Sequence, residues 1–203
     1  RTESDQPKHK GISLLLVDMK TPGITVRPLR QMTDDAEFCE VFFEDVRVPA
    51  SHLLGAPGAG WSIAMGIVAH ERGPMWTFIF QRKIRRSLSQ LIQSLREHPG
   101  ARGALADPLV RQRLAQAHIE VELLRLSGYR SLTTLLRTGH PGPESSLEKM
   151  MGSETDQRLQ DLALALVGSY GPLRSGPLAL GDGAVARQFL YARSETIMGG
   201  TSE

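Results

Sequence analysis

The sequence lacks the features that mark several large classes of protein. Its one cysteine, Cys39, cannot form an internal disulfide, which is typical of a reducing compartment. The 24 Lys and Arg residues nearly balance the 22 Asp and Glu residues, and a net charge of +2 creates no field that attracts nucleic acid or a membrane surface. The apolar runs at 14–17 and 162–168 are far shorter than the roughly 18 residues of a transmembrane helix. We therefore expect a soluble globular protein of a reducing compartment, with no nucleic-acid partner and no membrane span.

Neither end of the chain has the pattern of a natural terminus. Residue 1 is arginine rather than methionine, and the residues after it lack the apolar core of a signal peptide. The last five residues, 199–203, are typical of a turn. We expect the chain to be a segment of a longer protein.

The first 56 residues have the pattern of short strands. β-branched and aromatic residues dominate at 12–19, 24–29 and 37–48, and the Pro and Gly within 20–23 predict a turn from which the second strand returns along the first. Three strands in so short a segment leave an edge and a hydrophobic face uncovered. The pattern predicts that residues 1–56 are part of an antiparallel β-domain.

Residues 57–203 have helical periodicity instead, after a cluster of small residues at 55–60. The first helix is predicted over 61–96, with a kink or break at Gly73-Pro74 because proline lacks the amide that would reach an earlier carbonyl. Asp107-Pro108 caps a second helix that ends near Gly139, and two more are predicted over 144–167 and 184–197. The chain is thus predicted to be α+β: a partial antiparallel β-domain followed by an antiparallel four-helix bundle.

Glu71 lies on the apolar stripe of the first helix, so we expect its side chain to be buried among apolar neighbours. Burial disfavours the charged form of a carboxylate, which makes such a glutamate a candidate proton acceptor. The alternative is structural: Glu71 pairs with Arg72 or with an arginine of another helix. The helical pattern alone does not choose between them. The other members of the stripe are Trp61, Ala64, Met65, Val68, Met75, Phe78 and Ile79.

Two glycine-containing segments are candidate ligand-binding turns. The amides and hydroxyl of 199–202 could hold an anion or a carbonyl oxygen, and 168–171 could allow a flat ligand to approach the backbone. Both segments also fit a simple helix C-cap.

Two other sets of polar residues indicate no catalytic site. The cluster Arg82, Lys83, Arg85 and Arg86 predicts a solvated face or a partner contact, because no aromatic residues are interleaved with it. His118 and His140 have no companions at metal-ligand spacing, so no metal site is predicted.

Several segments, taken in order, resemble the acyl-CoA dehydrogenase family. The run at 41–49, Val-Phe-Phe-Glu-Asp-Val-Arg-Val-Pro, is similar to the second half of the family's middle β-domain, as are Lys10-Gly11-Ile12-Ser13 and Thr21-Pro22-Gly23-Ile24. Gly60-Trp61 is similar to its junction with the C-terminal helical domain, and 196–203, Thr-Ile-Met-Gly-Gly-Thr-Ser-Glu, is similar to the family's terminal flavin and substrate segment. The resemblance covers essentially the whole chain.

The resemblance implies an oxidoreductase of fatty-acid and lipid metabolism, acting on CH–CH bonds. It implies a location in the bacterial cytoplasm or, in a eukaryote, in the mitochondrial matrix. A glutamate removes the α-proton of an acyl-CoA thioester, a hydride passes from the β-carbon to FAD, and electrons leave to an electron-transfer flavoprotein. Many members carry the base where this chain has Gly199. A subset resembling the isovaleryl and long-chain enzymes places it just before an arginine on the first helix of the helical domain, as in Glu71-Arg72. The resemblance therefore assigns catalysis to Glu71, a CoA contact to Arg72 and the thioester carbonyl to Gly199-Gly200.

For FAD, the resemblance implies contacts from Gln112, from Gly168 and Ser169, and from Thr201 and Glu203. The family's Arg-x-x-Phe-Gly signature, which reaches a neighbouring subunit's flavin, has no good match between Gln81 and Asp107. This departure is similar to that of divergent bacterial members that act on branched, steroid-side-chain or other bulky acyl-CoAs.

The chain contains neither the family's N-terminal helical domain nor the first half of its β-domain, so alone it is expected to be inactive. A homo- or hetero-oligomer is expected, either a dimer or a tetramer such as the family's homotetramer. The alternative function is a non-catalytic subunit that acts as a structural scaffold in a mixed tetramer.

Overall fold

The computed structural model describes residues 1–71, 73–97, 101 and 103–202. The chain divides into two units, Arg1–Glu71 and Arg72–Glu203. The predicted domain boundary at 56 and 57 lies just before the helix that ends the first unit.

The first unit contains four short strands, and their pairing differs from the prediction. Strand β1 (Leu14–Leu15) pairs with β4 (Leu53–Leu54), and β2 (Ile24–Leu29) pairs with β3 (Phe38–Phe43), both antiparallel. The expectation that the strand at 24–29 returns along the first strand is therefore wrong. The reason lies in the backbone bonding: the Leu16 amide donates to the His52 carbonyl at 3.0 Å, so the segment at 52–54 takes the edge that β2 would need.

The β2–β3 ribbon leaves large apolar side chains in solvent, as its sequence predicts. Phe43 is 61% exposed, and Phe38 and Val26 are each nearly half exposed. A two-stranded ribbon with uncovered apolar side chains is not independently stable, so this ribbon requires further strands or a partner surface.

Helix α1 (Gly60–Glu71) closes the first unit and packs against β1. The Gly60 amide donates to the Ile12 carbonyl at 2.8 Å. A Cβ atom at Gly60 would lie 2.5 Å from the carbonyl carbon of Ser13, so only glycine permits this approach. The Trp61 indole stacks on the His9 ring with centroids 3.8 Å apart.

The second unit is a bundle of four helices. They are α2 (Pro74–Glu97), α3 (Pro108–Thr138), α4 (Glu144–Val167) and α5 (Ala184–Glu195). The predicted break is confirmed, because α1 ends at Glu71 and α2 begins at Pro74, where the missing amide costs no helical hydrogen bond. The predicted cap is also confirmed: the Leu109 amide donates to Asp107 Oδ1 at 2.8 Å. Helix α4 has its predicted bounds, and α5 ends two residues earlier than predicted.

The bundle core is formed by aliphatic side chains of α2, α3 and α4. Ile84, Val121 and Leu124 are fully buried, with Leu88, Leu91 and Leu159 almost as inaccessible. Two contacts establish that α3 and α4 are antiparallel. Glu120, early in α3, accepts from Arg158, late in α4, at 2.9 Å, whereas the later Ser127 donates to the earlier Glu148 at 3.0 Å.

Within the described residues, no helix is both long enough and apolar enough to cross a membrane.

Candidate active site

Glu71 is the last residue of α1, and its side chain is exposed. The expected burial of this carboxylate on an apolar stripe is therefore not found. The stripe itself is uncovered, since Met65 and Val68 of α1 are each about two-fifths exposed and Met75 of α2 is 70% exposed. Toward the described residues, the Glu71 carboxylate forms no hydrogen bond or ion pair. The helix ends here, so the carboxylate projects from a helix terminus with its acceptor positions available.

Two of the predicted site residues lie outside the described residues. These are Arg72, the predicted CoA contact, and Glu203, one of the predicted FAD contacts.

The turn after α5 has two consecutive glycines with positive φ. The φ angles are 65° at Gly199 and 104° at Gly200, in a region that L-residues rarely adopt. Lys149 Nζ donates to the Gly200 carbonyl, and the Ser202 amide donates to the Thr196 carbonyl at 3.0 Å. These bonds fix the turn from both sides, so the glycine backbone is held in one conformation.

The inner amides of this turn have no partner among the described residues. Those of Gly199, Gly200 and Thr201 donate to no described atom, and all three residues are exposed. The Ser202 hydroxyl oxygen is buried and also lacks a hydrogen-bond partner there. A fixed set of backbone donors beside an unsatisfied hydroxyl fits a carbonyl or anionic ligand.

Helix α4 anchors the segment that carries the turn. Gln157 Nε2 donates to the Ala192 carbonyl at 3.0 Å and to Thr196 Oγ1 at 2.9 Å. One side-chain amide thus donates both to a carbonyl near the end of α5 and to a hydroxyl at the start of the turn, which holds the segment that carries the 199–201 donors against α4.

The other predicted cofactor residues lie at the opposite end of α4. Gly168 and Ser169 follow its last residue, and both are exposed. Lys149, which contacts Gly200, precedes Gly168 by 19 residues, so about 28 Å of helix separates the two segments. Since α3 runs antiparallel to α4, exposed Gln112 in the first turns of α3 lies at the same end as Gly168. The structure therefore brings Gln112, Gly168 and Ser169 to one end of the bundle and Gly199, Gly200 and Thr201 to the other.

A buried ionic cluster joins α2, α4 and α5. Lys83 Nζ donates to Asp156 Oδ2 at 2.9 Å and to Glu195 Oε1, and both carboxylates are almost inaccessible. Burial and the nearby Asp156 raise the pKa of Glu195 to about 8. Burial alone would lower the pKa of Lys83, but the attraction of Asp156 and Glu195 outweighs it and raises that pKa. The sequence pattern placed Lys83 on a solvated face with its arginine neighbours; instead it turns inward.

A second buried carboxylate, Glu148, is surrounded by hydroxyl groups. Thr77 Oγ1 of α2 donates to Glu148 Oε2 at 2.5 Å, and Ser127 Oγ of α3 donates to Oε1 at 3.0 Å. Ser131 Oγ also donates to Oε1. Sequence reasoning missed this cluster; the available signal was an acid eight residues before Asp156, a spacing that places both acids on the same face of α4.

Comparison with known proteins identifies the architecture. Residues 58–203 match the family model described as "Acyl-CoA dehydrogenase, C-terminal domain". The chain belongs to the acyl-CoA dehydrogenase family. Acyl-CoA dehydrogenase IpdE1 of Mycolicibacterium smegmatis is 34% identical over 206 residues, which cover 100% of this chain and 48% of that protein.

Solved structures, among them an acyl-CoA dehydrogenase, have the same fold. One from Geobacillus kaustophilus superposes with a TM-score of 0.81 at 28% identity, covering 97% of this chain and 50% of that one. A chain of the ChsE4-ChsE5 complex from Mycobacterium tuberculosis superposes with a TM-score of 0.74 at 27% identity, covering 97% of this chain and 51% of that one. The chain therefore spans about half the length of the acyl-CoA dehydrogenases that it matches.

Proposed function

We propose that the protein is an FAD-dependent acyl-CoA dehydrogenase that introduces an α,β double bond into an acyl-CoA thioester, with Glu71 as its base. The observation that carries the proposal is the state of Glu71: an exposed carboxylate at a helix end, bonded to no described residue. The adjacent Arg72 in the sequence and the family membership of residues 58–203 support this assignment.

In this proposal, each of the site residues has a separate role. Glu71 accepts the proton from the α-carbon, and the pair of electrons left behind delocalises onto the thioester carbonyl oxygen. The amides of Gly199 and Gly200 are the proposed donors to that oxygen, since they have no partner among the described residues and could stabilise the negative charge that develops on it. Arg72 holds the CoA portion through charge-assisted hydrogen bonds.

The residues of the turn at 199–202 also fit a flavin, since the Thr201 amide and the buried Ser202 hydroxyl are unsatisfied there. Thr201 would hold FAD at this end of the bundle, and Gln112, Gly168 and Ser169 would hold it at the other. Glu203, two residues after Thr201 in the sequence, is a further proposed FAD contact. Because about 28 Å of α4 separates the two sets, we propose that they contact two different FAD molecules in an oligomer. FAD, when bound, accepts the hydride from the β-carbon, and an electron-transfer flavoprotein is the proposed electron acceptor.

The test uses the full reading frame that contains this chain. Glu71→Gln is expected to retain FAD and to lose at least a hundredfold of its acyl-CoA-dependent dye reduction, since general-base catalysis contributes factors of about 10² to 10⁴. Glu40→Gln, another exposed carboxylate of the first unit, is the matched control and should keep full activity. Near-normal turnover in Glu71→Gln with FAD bound would refute the assignment.

The second candidate function is a non-catalytic scaffold subunit of a mixed oligomer. Two observations favour it: the uncovered apolar side chains of the β2–β3 ribbon, and the likeness to a chain of the two-component ChsE4-ChsE5 complex. Under this hypothesis the purified protein binds FAD only after a second subunit is added. Stoichiometric FAD in the protein alone would exclude the scaffold role.

A further inference from the structure

A groove between α2 and α3 is lined by four arginines. Arg82, Arg85 and Arg86 of α2 and Arg125 of α3 surround a cavity of about 670 Å³. The spacing of the three α2 residues places them on one side of that helix, whereas Lys83 between them turns toward Asp156 in the core. The arginines are therefore separated from the buried ionic cluster of the bundle.

The groove has a large excess of positive charge. Arg125 Nε donates to Glu122 Oε2 at 2.7 Å, and this hydrogen bond, together with the positive charge of Arg85, lowers the pKa of Glu122. Within the described ranges, Arg82 and Arg86 form no ion pair. Glu122 thus interacts with two of the four arginines, and none of the described residues that line the groove is acidic. Such an arrangement favours an anionic ligand that can accept bidentate hydrogen bonds.

The wall and floor of the groove supply aromatic rings and a buried amide. The rings of Phe78 and Tyr129 meet edge to face with centroids 5.0 Å apart, and Arg125 Cζ lies 5.7 Å from the Tyr129 ring. Gln81, which also lines the groove, is only 3% exposed, and its Nε2 has no hydrogen-bond partner among the described residues. A buried donor without a partner at the base of a cationic groove points to an acceptor that enters from outside.

We propose that this groove binds a phosphate-bearing aromatic molecule of the nucleotide class. The guanidinium groups of Arg82, Arg85 and Arg86 bind the phosphates, and the half-exposed Tyr129 ring packs against the base. Gln81 Nε2 donates its free hydrogen bond to the bound molecule. None of the lining residues is among those assigned above to the acyl-CoA or to FAD.

The test is calorimetric titration of the FAD-saturated full-length protein with two probes, ADP and inorganic pyrophosphate. Both should bind, and ADP should bind more tightly because only it carries a ring. The double variant Arg82→Ala/Arg86→Ala should weaken both probes at least tenfold, and Arg96→Ala, an exposed arginine of α2 outside the groove, should not. Tyr129→Ala should weaken ADP and leave pyrophosphate unchanged.

Three results would overturn the proposal: no binding of either probe, equal binding by the double variant and the wild type, or loss of ADP binding in Arg72→Ala with retention in the double variant. The last result would assign ADP to the CoA contact instead. None of these results depends on whether Glu71 is the base, so this proposal and the proposed activity can fail separately.

Discussion

Lys83 on α2 donates to Asp156 on α4 across 2.9 Å in the interior of the bundle, and the same ammonium group reaches Glu195 on α5. One lysine therefore joins three of the four helices. Asp156 Oδ1 also accepts from Gln160 Nε2 at 2.7 Å, so the carboxylate is satisfied on both oxygens. Because α5 leads directly to the turn at 199–202, the cluster positions the proposed ligand-binding turn as well as the core.

Lys83→Met is expected to destabilise the bundle by about 3–5 kcal/mol, since it removes the cation to which the buried side chains of Asp156 and Glu195 are bonded. Denaturant unfolding, monitored by circular dichroism, measures the change in unfolding free energy. Arg86→Met removes the same charge one turn later from an exposed position and should change the unfolding free energy by less than about 0.5 kcal/mol. Equal stability of the two variants would show that the cluster does not hold the helices together.

The raised pKa of Glu195 predicts how the stability of the fold depends on pH. Its pKa is about 8 in the folded state against 4.5 as the ordinary value. A folded-state pKa above the unfolded value stabilises the fold at low pH, and this contribution is lost as the pH rises from about 4.5 to about 8. The raised pKa of Lys83 acts only above its ordinary value of 10.5, outside that window.

Glu195→Gln should therefore match the wild type near pH 5 and exceed its stability near pH 8.5, by an amount on the order of a few kcal/mol. Unfolding curves at the two pH values give the difference directly. Glu97→Gln replaces an exposed carboxylate of α2 with an amide, and its stability should equal that of the wild type at both pH values. A variant with a constant offset from the wild type at both pH values would contradict the raised pKa.

The hydroxyl groups around Glu148 predict a cost for removing one donor. Thr77→Val keeps the shape of the side chain but removes the hydrogen bond to buried Glu148, with an expected loss of about 1–3 kcal/mol in unfolding free energy. Thr133→Val is the matched control, because Thr133 is exposed and bonds only the carbonyl of its own helix at Tyr129. Similar effects of the two substitutions would mean that Glu148 does not depend on Thr77.

The close packing of α4 against α2 leaves no room for a side chain at Gly152. A Cβ atom there would lie 2.7 Å from Phe80 Cδ1 in the core, so Gly152→Ala should cost about 1–3 kcal/mol despite the better helix propensity of alanine. Gly66 on α1 has no atom within 4 Å of its Cβ position, so Gly66→Ala should stabilise α1 by up to about 1 kcal/mol. Hydrogen exchange of the amides in each helix reports the two effects separately.

The sequence predicted helix bounds better than it predicted the environment of side chains. Caps such as Asp107 and breakers such as Pro74 act within one turn, and local chemistry of that kind can be found in the sequence alone. Strand pairing could not be found in this way, because the residues that pair with β1 lie almost forty positions further along the chain.

In the candidate site, too, local conformation could be predicted from the sequence and contacts between helices could not. The turn at 199–202 was predicted from its glycines, and their positive φ angles follow from local conformation. The contact of Lys149 with Gly200 and the buried cluster around Lys83 depend on which helices become neighbours, which the pattern of a single helix does not encode. The predicted burial of Glu71 failed for the same reason, because it assumed that other elements cover the stripe.

The central claim is that Glu71 removes the α-proton, and α-hydrogen exchange measures that step without requiring hydride transfer. The full-length, FAD-containing protein is incubated with an acyl-CoA in deuterated water, and deuterium at the α-carbon is followed by mass spectrometry. We predict exchange with the wild type and with Glu40→Gln, and a loss of at least a hundredfold with Glu71→Gln. Exchange at the wild-type rate in Glu71→Gln would contradict the account.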